Sequence, residues 1–186
     1  MANTPSTMLP LGTTTPEFSL RDTITGKTFD LQTLKGTKGT LIMFICNHCP
    51  FVKHVNPELK RLGEEYQEKG IGIVAISSND VANYPQDGPD LMKETAKKEG
   101  YSFPYLYDKT QQVAADYQAA CTPDFFLFDR KMNLVYRGQL DDSRPGNGIA
   151  LTGNDIRNAL NALLEGNEID PHQKPSIGCN IKWKKA

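Results

Sequence analysis

Cys46 and Cys49 are the side chains of this 186-residue chain whose type and spacing most directly suggest chemistry. The apolar run Leu41-Ile42-Met43-Phe44-Ile45 precedes them and reads as a buried strand. Pro50 follows at once and suits the first position of a helix, where its missing N–H costs nothing. Strand, C-x-x-C and helix in that order put the sulfurs at a helix amino end. Unpaired N–H groups and the helix dipole favour a thiolate there and can draw a cysteine from ~8.5 into the range ~3.5–7.5. Such a pair can open and close a disulfide, one sulfur attacking and the other resolving. The competing readings are two core cysteines or half of a zinc site.

His48 lies between the two sulfurs. A charged imidazole there would favour the thiolate and make the disulfide more oxidising; an exposed turn histidine would do neither. Cys46, His48, Cys49 and His54 also offer four soft or borderline metal ligands in a short span. A strand-to-helix junction spreads such side chains poorly for a tetrahedron, so metal is the minor reading. His172 sits in an unpatterned stretch and carries no signal. Asp141-Asp142-Ser143-Arg144 could pair charges near an active face, although charged loops are usually just solvated.

The elements that must position the pair can be read outward from it. Residues 1–16 carry Pro5, Pro10 and Pro16 and many threonines, an irregular lead-in. Phe18-Ser19-Leu20 and Lys27 to Leu31 flank Ile24-Thr25-Gly26 as a short hairpin. After Pro50, Val55, Leu59, Leu62 and Tyr66 fall at helical spacing, with Pro57 expected to kink that helix or shift its start, and Gly70 closing it. Ile71 to Ile76 is a second buried strand. Pro85 to Pro89 reads as loop, and Asp90 to Lys98 as a helix with Leu91 and Met92 inward. Phe103 to Tyr107 is a short extended piece. Thr110 can cap a helix carrying Val113 and Tyr117. Phe125 to Phe128 and Leu134 to Arg137 form two strands close enough for a hairpin. Asp141 to Gly153 is loop, Thr152 with Asp155 reads as a capped start, and Ile156, Leu160, Leu163 and Leu164 share a helix face up to Gly166. Residues 167–186 show no period.

The length fits one domain with a substantial core. Lys plus Arg total 21 against 22 Asp plus Glu, a formal charge of -1, which argues against nucleic acid. No apolar run reaches the ~18 residues of a membrane span. The beginning, Met1 to Thr7, lacks the basic end and apolar stretch of a signal peptide, so a cytoplasmic protein is expected. Four cysteines in an intracellular chain do not make a disulfide scaffold; a local pair there is catalytic or metal-binding more often than structural.

These residues resemble the thioredoxin superfamily and, within it, the peroxiredoxin-like branch related to alkyl hydroperoxide reductase and thiol-specific antioxidant proteins. Leu11-Gly12 through Pro16-Glu17-Phe18-Ser19-Leu20, then Gly26-Lys27 and Leu34-Lys35-Gly36, resemble that branch's opening segment and turns. Cys46-Asn47-His48-Cys49 stands at the redox motif. Thr122-Pro123, before Asp124 to Asp129, matches the loop where the superfamily sets a cis-proline beside the sulfurs. The resemblance covers roughly Leu9 to Leu164. It implies an α/β thioredoxin-like fold, a central mixed β-sheet flanked by helices with an N-terminal hairpin extension. The division is then 1–16 lead-in, 17–166 thioredoxin-like domain, and 167–186 a tail docked on it, since Ile177, Ile181 and Trp183 are odd residues for a disordered end.

Two departures from the family pattern leave the chemistry open. Thioredoxins usually place Trp before the first cysteine and a buried acid in the preceding strand; Ile45 and Thr40 stand there, so the proton acceptor is missing or supplied elsewhere. Peroxiredoxins carry Thr or Ser three residues before a peroxide-attacking cysteine followed by Pro; Cys46 falls at the hydroxyl position and Cys49-Pro50 at the peroxidatic one. In the thioredoxin-like version an exposed Cys46 attacks a disulfide and Cys49 resolves. In the peroxiredoxin-like version Cys49 attacks a peroxide, and Cys46 or a distant thiol resolves the sulfenic acid. Thr122 and Pro123 would support the site by presenting backbone to an extended substrate. Cys121 and Cys179 are candidate resolving thiols, each set against the plainer reading of an inert buried cysteine. The resulting expectation is a thiol–disulfide oxidoreductase with no organic cofactor and no resident metal. Its substrate would be a protein disulfide or a peroxide, and a thioredoxin-type protein a candidate electron donor. A non-catalytic copper- or zinc-binding module is the alternative from another class.

Overall fold

The apolar run ahead of the cysteines is the middle of the main sheet. In the computed structural model, which describes residues 3–185, it forms Gly39–Phe44. The elements in chain order are β1 (Asn3–Pro5), β2 (Ser19–Asp22), β3 (Thr28–Asp30), α1 (Leu31–Leu34), β4 (Gly39–Phe44), α2 (Pro50–Tyr66), β5 (Ile71–Ser77), α3 (Pro89–Glu99), β6 (Tyr105–Tyr107), α4 (Gln112–Asp116), β7 (Cys121–Thr122), β8 (Asp124–Asp129), β9 (Leu134–Gly138), α5 (Asn154–Glu165) and β10 (Ile177–Asn180). The main sheet has the order β3-β2-β6-β5-β4-β8-β9. β4, β5 and β6 are parallel, joined by crossovers through α2 and α3, and the other pairings are antiparallel.

β4 is buried along its whole length. Leu41 and Met43 face Val52, Val55, Leu59 and Leu62 of α2, while Ile42 and Phe44 face Tyr117 and Phe126 on the other side. Two covered faces explain why the strand reads as one apolar run instead of alternating. Each of these side chains contributes about 1.5–3 kcal/mol on burial, so the strand delivering Cys46 is firmly anchored. Ile45 extends the ladder one step, its N–H donating to Ile76 O at 3.0 Å.

Several details differ from the sequence expectations. The lead-in is not wholly irregular: β1 pairs with β10, so backbone pairing to the far end of the chain overrides its low strand propensity. α2 is one helix from Pro50 to Tyr66 with Pro57 inside it; tertiary packing of its apolar face outweighs the lost backbone bond. Leu91 is not inward but 41% exposed, because α3 starts at Pro89 and turns Met92 and Ala96 to the core. Thr110 and Thr152 do not hold the cap positions of α4 and α5. Gln111 and Gly153 do, both with positive φ, and Thr152 bonds to Asp141 instead. The loop Pro85 to Pro89 contains a 3-10 turn, Pro85–Asp87, which proves to belong to the site.

Candidate active site

Cys46 leaves the end of β4 and Cys49 is the N-cap of α2, with Pro50 at the first helical position. The turn between them is fixed by a residue that sequence reasoning missed. Asp87, fully buried, accepts the N–H of Asn47 at 2.8 Å and of His48 at 3.2 Å on one oxygen. Its other oxygen takes Asn79 Nδ2 at 2.8 Å and meets His48 Nδ1 at 2.5 Å. His48 also stacks on Tyr84 at 5.7 Å, and Tyr105 Oη donates to Asn47 Oδ1 at 3.1 Å. His48 is thus committed to Asp87, with Cys46 Sγ at 3.9 Å from the same nitrogen. No local pattern in Pro85-Gln86-Asp87-Gly88-Pro89 announces that carboxylate.

Thr122 closes the site from the opposite side. Its hydroxyl lies 3.5 Å from Cys46 Sγ, and Cys49 Sγ donates to its carbonyl oxygen at 3.2 Å. The Thr122–Pro123 bond is cis. The sulfurs are not exposed as the attacking-Cys46 version expected: Cys46 is 2% exposed and Cys49 fully buried, covered by Thr122, the Asn47–His48 turn and β10. The burial follows from β10, whose pairing to β7 joins parts of the chain far apart in sequence.

Electrostatics separates the two thiols. Cys46 is raised well above the ordinary thiol range, first because its proton is engaged with Cys49, then by burial and by the Asp87 charge. Cys49 is lowered to about 5: the Cys46 thiol donates to it, and the Cys179 thiol and the N–H groups of Val52 and Cys179 add to that against the cost of burial. One negative charge shared by the pair therefore rests on the sulfur at the helix amino end. The Thr122 carbonyl is the neighbour that favours the protonated form of Cys49.

Cys121 is buried, its thiol donating to Pro123 O at 3.6 Å, and burial with the nearby Asp124 pushes it well above the ordinary range. It makes no hydrogen bond to either active-site sulfur. Asp124, next to Pro123, is a buried acid pushed up to about 7 by desolvation; Ser6 Oγ donates to it at 2.7 Å and its second oxygen is unpartnered. It borders Cys121, and Thr40 on β4 accepts from Gly36 N–H and donates to Met132 Sδ, so neither is a proton acceptor at Cys49. His54 pairs with Ser143 Oγ at 2.7 Å and His172 with Asp170, both away from the sulfurs. For metal, Cys46, His48 and Asp87 bring ligand atoms within 4.8 Å of one another, but the His48–Asp87 bond already occupies the facing pair.

Residues 11–137 match the AhpC/TSA family. The chain belongs to that family. Thiol-disulfide oxidoreductase ResA of Bacillus thuringiensis (strain Al Hakam) is 29% identical over 128 residues, 68% of each protein. A conserved protein of Geobacillus kaustophilus superposes with a TM-score of 0.98 at 57% identity, over 100% of this chain and 98% of its own. A hypothetical protein of Sinorhizobium meliloti 1021 gives 0.96 at 45% identity, over 98% and 100%. The fold is the thioredoxin-like α/β arrangement of this family, and no helix among the described residues is long and apolar enough to cross a membrane.

Proposed function

We propose that this AhpC/TSA protein is a thiol–disulfide oxidoreductase that cycles Cys46 and Cys49 between dithiol and disulfide. The observation that carries the reading is the meeting of both sulfurs with Thr122 at the amino end of α2. The name of the ResA relative points the same way. Cys46, covered in this state, passes its proton to the Cys49 thiolate, attacks one sulfur of a substrate disulfide and expels a substrate thiolate. Cys49 then attacks Cys46 in the mixed disulfide and expels the second thiolate. The enzyme gives up two electrons and two protons, and the substrate leaves as two thiols. An open cleft of about 430 Å³ beside Asn47 and His48, walled by Lys53, Gln86 and the exposed Leu91, suits the approach of a protein disulfide. Asp87 and His48 position the turn that aims Cys46.

The low pKa of Cys49 favours a second reading, peroxide reduction. The Cys49 thiolate takes one peroxide oxygen, releasing water or alcohol, and Cys46 condenses with the sulfenic acid to expel water. Single-turnover assays on Cys46→Ser and Cys49→Ser separate the two. Disulfide reduction that needs Cys46 for attack supports exchange. Peroxide consumption lost in Cys49→Ser and kept for one turnover in Cys46→Ser supports the peroxidase. Either reading carries with it a cytoplasmic setting and a thioredoxin-type donor, tested by fractionation and by reduction of the oxidised protein with thioredoxin.

A further inference from the structure

A third thiol stands beside the pair with no part in the cycle just described. β10 lies between β1 and β7 and sets Cys179 opposite Thr122, the residue whose hydroxyl and carbonyl meet Cys46 and Cys49. Cys179 is 4% exposed and shares a core cluster with both sulfurs. Cys179 is also among the groups that lower the Cys49 thiol.

The strand is seated as closely as backbones allow. A Cβ on Gly178 would fall 2.0 Å from Thr122 O and 2.7 Å from Thr122 C, and one on Gly138 would fall 2.0 Å from Lys174 O. Only glycine permits either approach. Both flanks are tied down: Ser176 Oγ donates to Pro123 O at 2.5 Å and Ile181 N–H to Ala120 O at 3.0 Å. An extended, cysteine-bearing segment thus pairs backbone to backbone with the Thr122 strand, next to the reactive sulfurs. That is the geometry in which an extended peptide is recognised by strand addition.

We infer that Cys179 is an internal redox thiol that exchanges with the Cys46–Cys49 disulfide to form a Cys49–Cys179 disulfide. The inference rests on the proposed Cys46–Cys49 cycle. The Cys179 sulfur attacks Cys49, one S–S bond forms as the other breaks, and Cys46 leaves as a thiolate that takes up the proton given by Cys179. No oxidant is consumed. In the reduced protein burial pushes Cys179 up to about 12, so it waits as a thiol. The exchange returns Cys46 to its free form and leaves the oxidising equivalent on β10, which becomes the internal counterpart of a bound substrate.

The test is disulfide mapping of the full-length protein, acid-quenched and alkylated, after equilibration in glutathione redox buffers. Wild type should give two linked peptide pairs, Cys46–Cys49 and Cys49–Cys179, and Cys46→Ser treated with diamide should give Cys49–Cys179 within the monomer. Cys179→Ser should lose the second pair and keep the first. A wild type that forms Cys46–Cys49 while Cys179 stays fully alkylatable in every buffer and in oxidised Cys46→Ser overturns the inference and leaves the parent reading standing. Cys49–Cys179 without any Cys46–Cys49 in any buffer overturns the parent reading and, with it, the exchange. If Cys46→Ser does not fold, the wild-type buffers decide alone.

Discussion

Substituting Gly178 by alanine should unlock the site without touching a sulfur. The new Cβ would meet Thr122 O at 2.0 Å, Thr122 C at 2.7 Å and Pro123 N at 3.2 Å, all backbone atoms that cannot rotate away. Ordinary contact begins near 3.4 Å, so β10 must withdraw by more than an ångström from the oxygen. Over-packing of this kind costs about 1–3 kcal/mol. If the strand relieves it by local undocking, the open population rises by about 5- to 150-fold, the Boltzmann factor for that energy. The assay is the rate at which a bulky aromatic disulfide reagent modifies Cys46 and Cys49 in the reduced protein, followed against global stability in urea. The expected result is faster modification by that factor, with the free energy of global unfolding lowered by the same ~1–3 kcal/mol and an unchanged m-value. An unchanged rate in a protein whose β10 resonances or proteolytic pattern have shifted would refute the claim that this strand controls access.

Further expectations concern the charges at the pair. Cys46→Ala removes the first donor to Cys49, so the thiolate absorbance near 240 nm, expected to appear around pH 5 in the wild type, should appear at higher pH; an unmoved inflection contradicts the assignment. Because the folded pKa of Cys49 lies below its unfolded value, the reduced protein should gain stability relative to Cys49→Ser as pH rises from about 5, hold it fully above the ordinary thiol pKa, and lose it below about 5, as read by urea unfolding across pH. Asp87→Asn leaves one amide N–H facing the donors from Asn79 and His48, which should cost about 1–3 kcal/mol in chemical unfolding and make Cys46 more acidic. Thr122→Val removes the hydroxyl that lowers Cys46 and should raise its titration further, read by alkylation rate against pH.

The parts of this molecule legible in the sequence are those written in local pattern. Leu41 to Ile45, the C-x-x-C and Pro50 specify a buried strand running into a helix start, and β4 and α2 obey that. Thr122-Pro123 gave the facing loop only through resemblance to a family, since a Thr-Pro pair alone has no such meaning. Asp87 was illegible because its role is made by donors from two separate segments, the Asn47–His48 turn and Asn79 after β5, meeting at one buried carboxylate. A docked tail is expected from Ile177, Ile181 and Trp183, but the strand pairing of β10 was hidden for the same reason. Ile177 to Asn180 has no period, and its partners, β1 and β7, are far away in the chain. Leu91 misled in the opposite way: one residue of helix phase decides which of Leu91 and Met92 is buried, and that phase is set by where α3 starts.

The central claim is that Cys46 and Cys49 are a two-electron redox couple. Cys179→Ser protein, in which exchange with the third thiol is absent, should be equilibrated across a series of reduced and oxidised glutathione ratios, quenched and mapped. The account predicts a Cys46–Cys49 disulfide that titrates with the buffer as a single two-electron transition and accounts for the loss of both thiols. A protein in which Cys46 and Cys49 are never joined at any ratio, while its fold is intact, would contradict it.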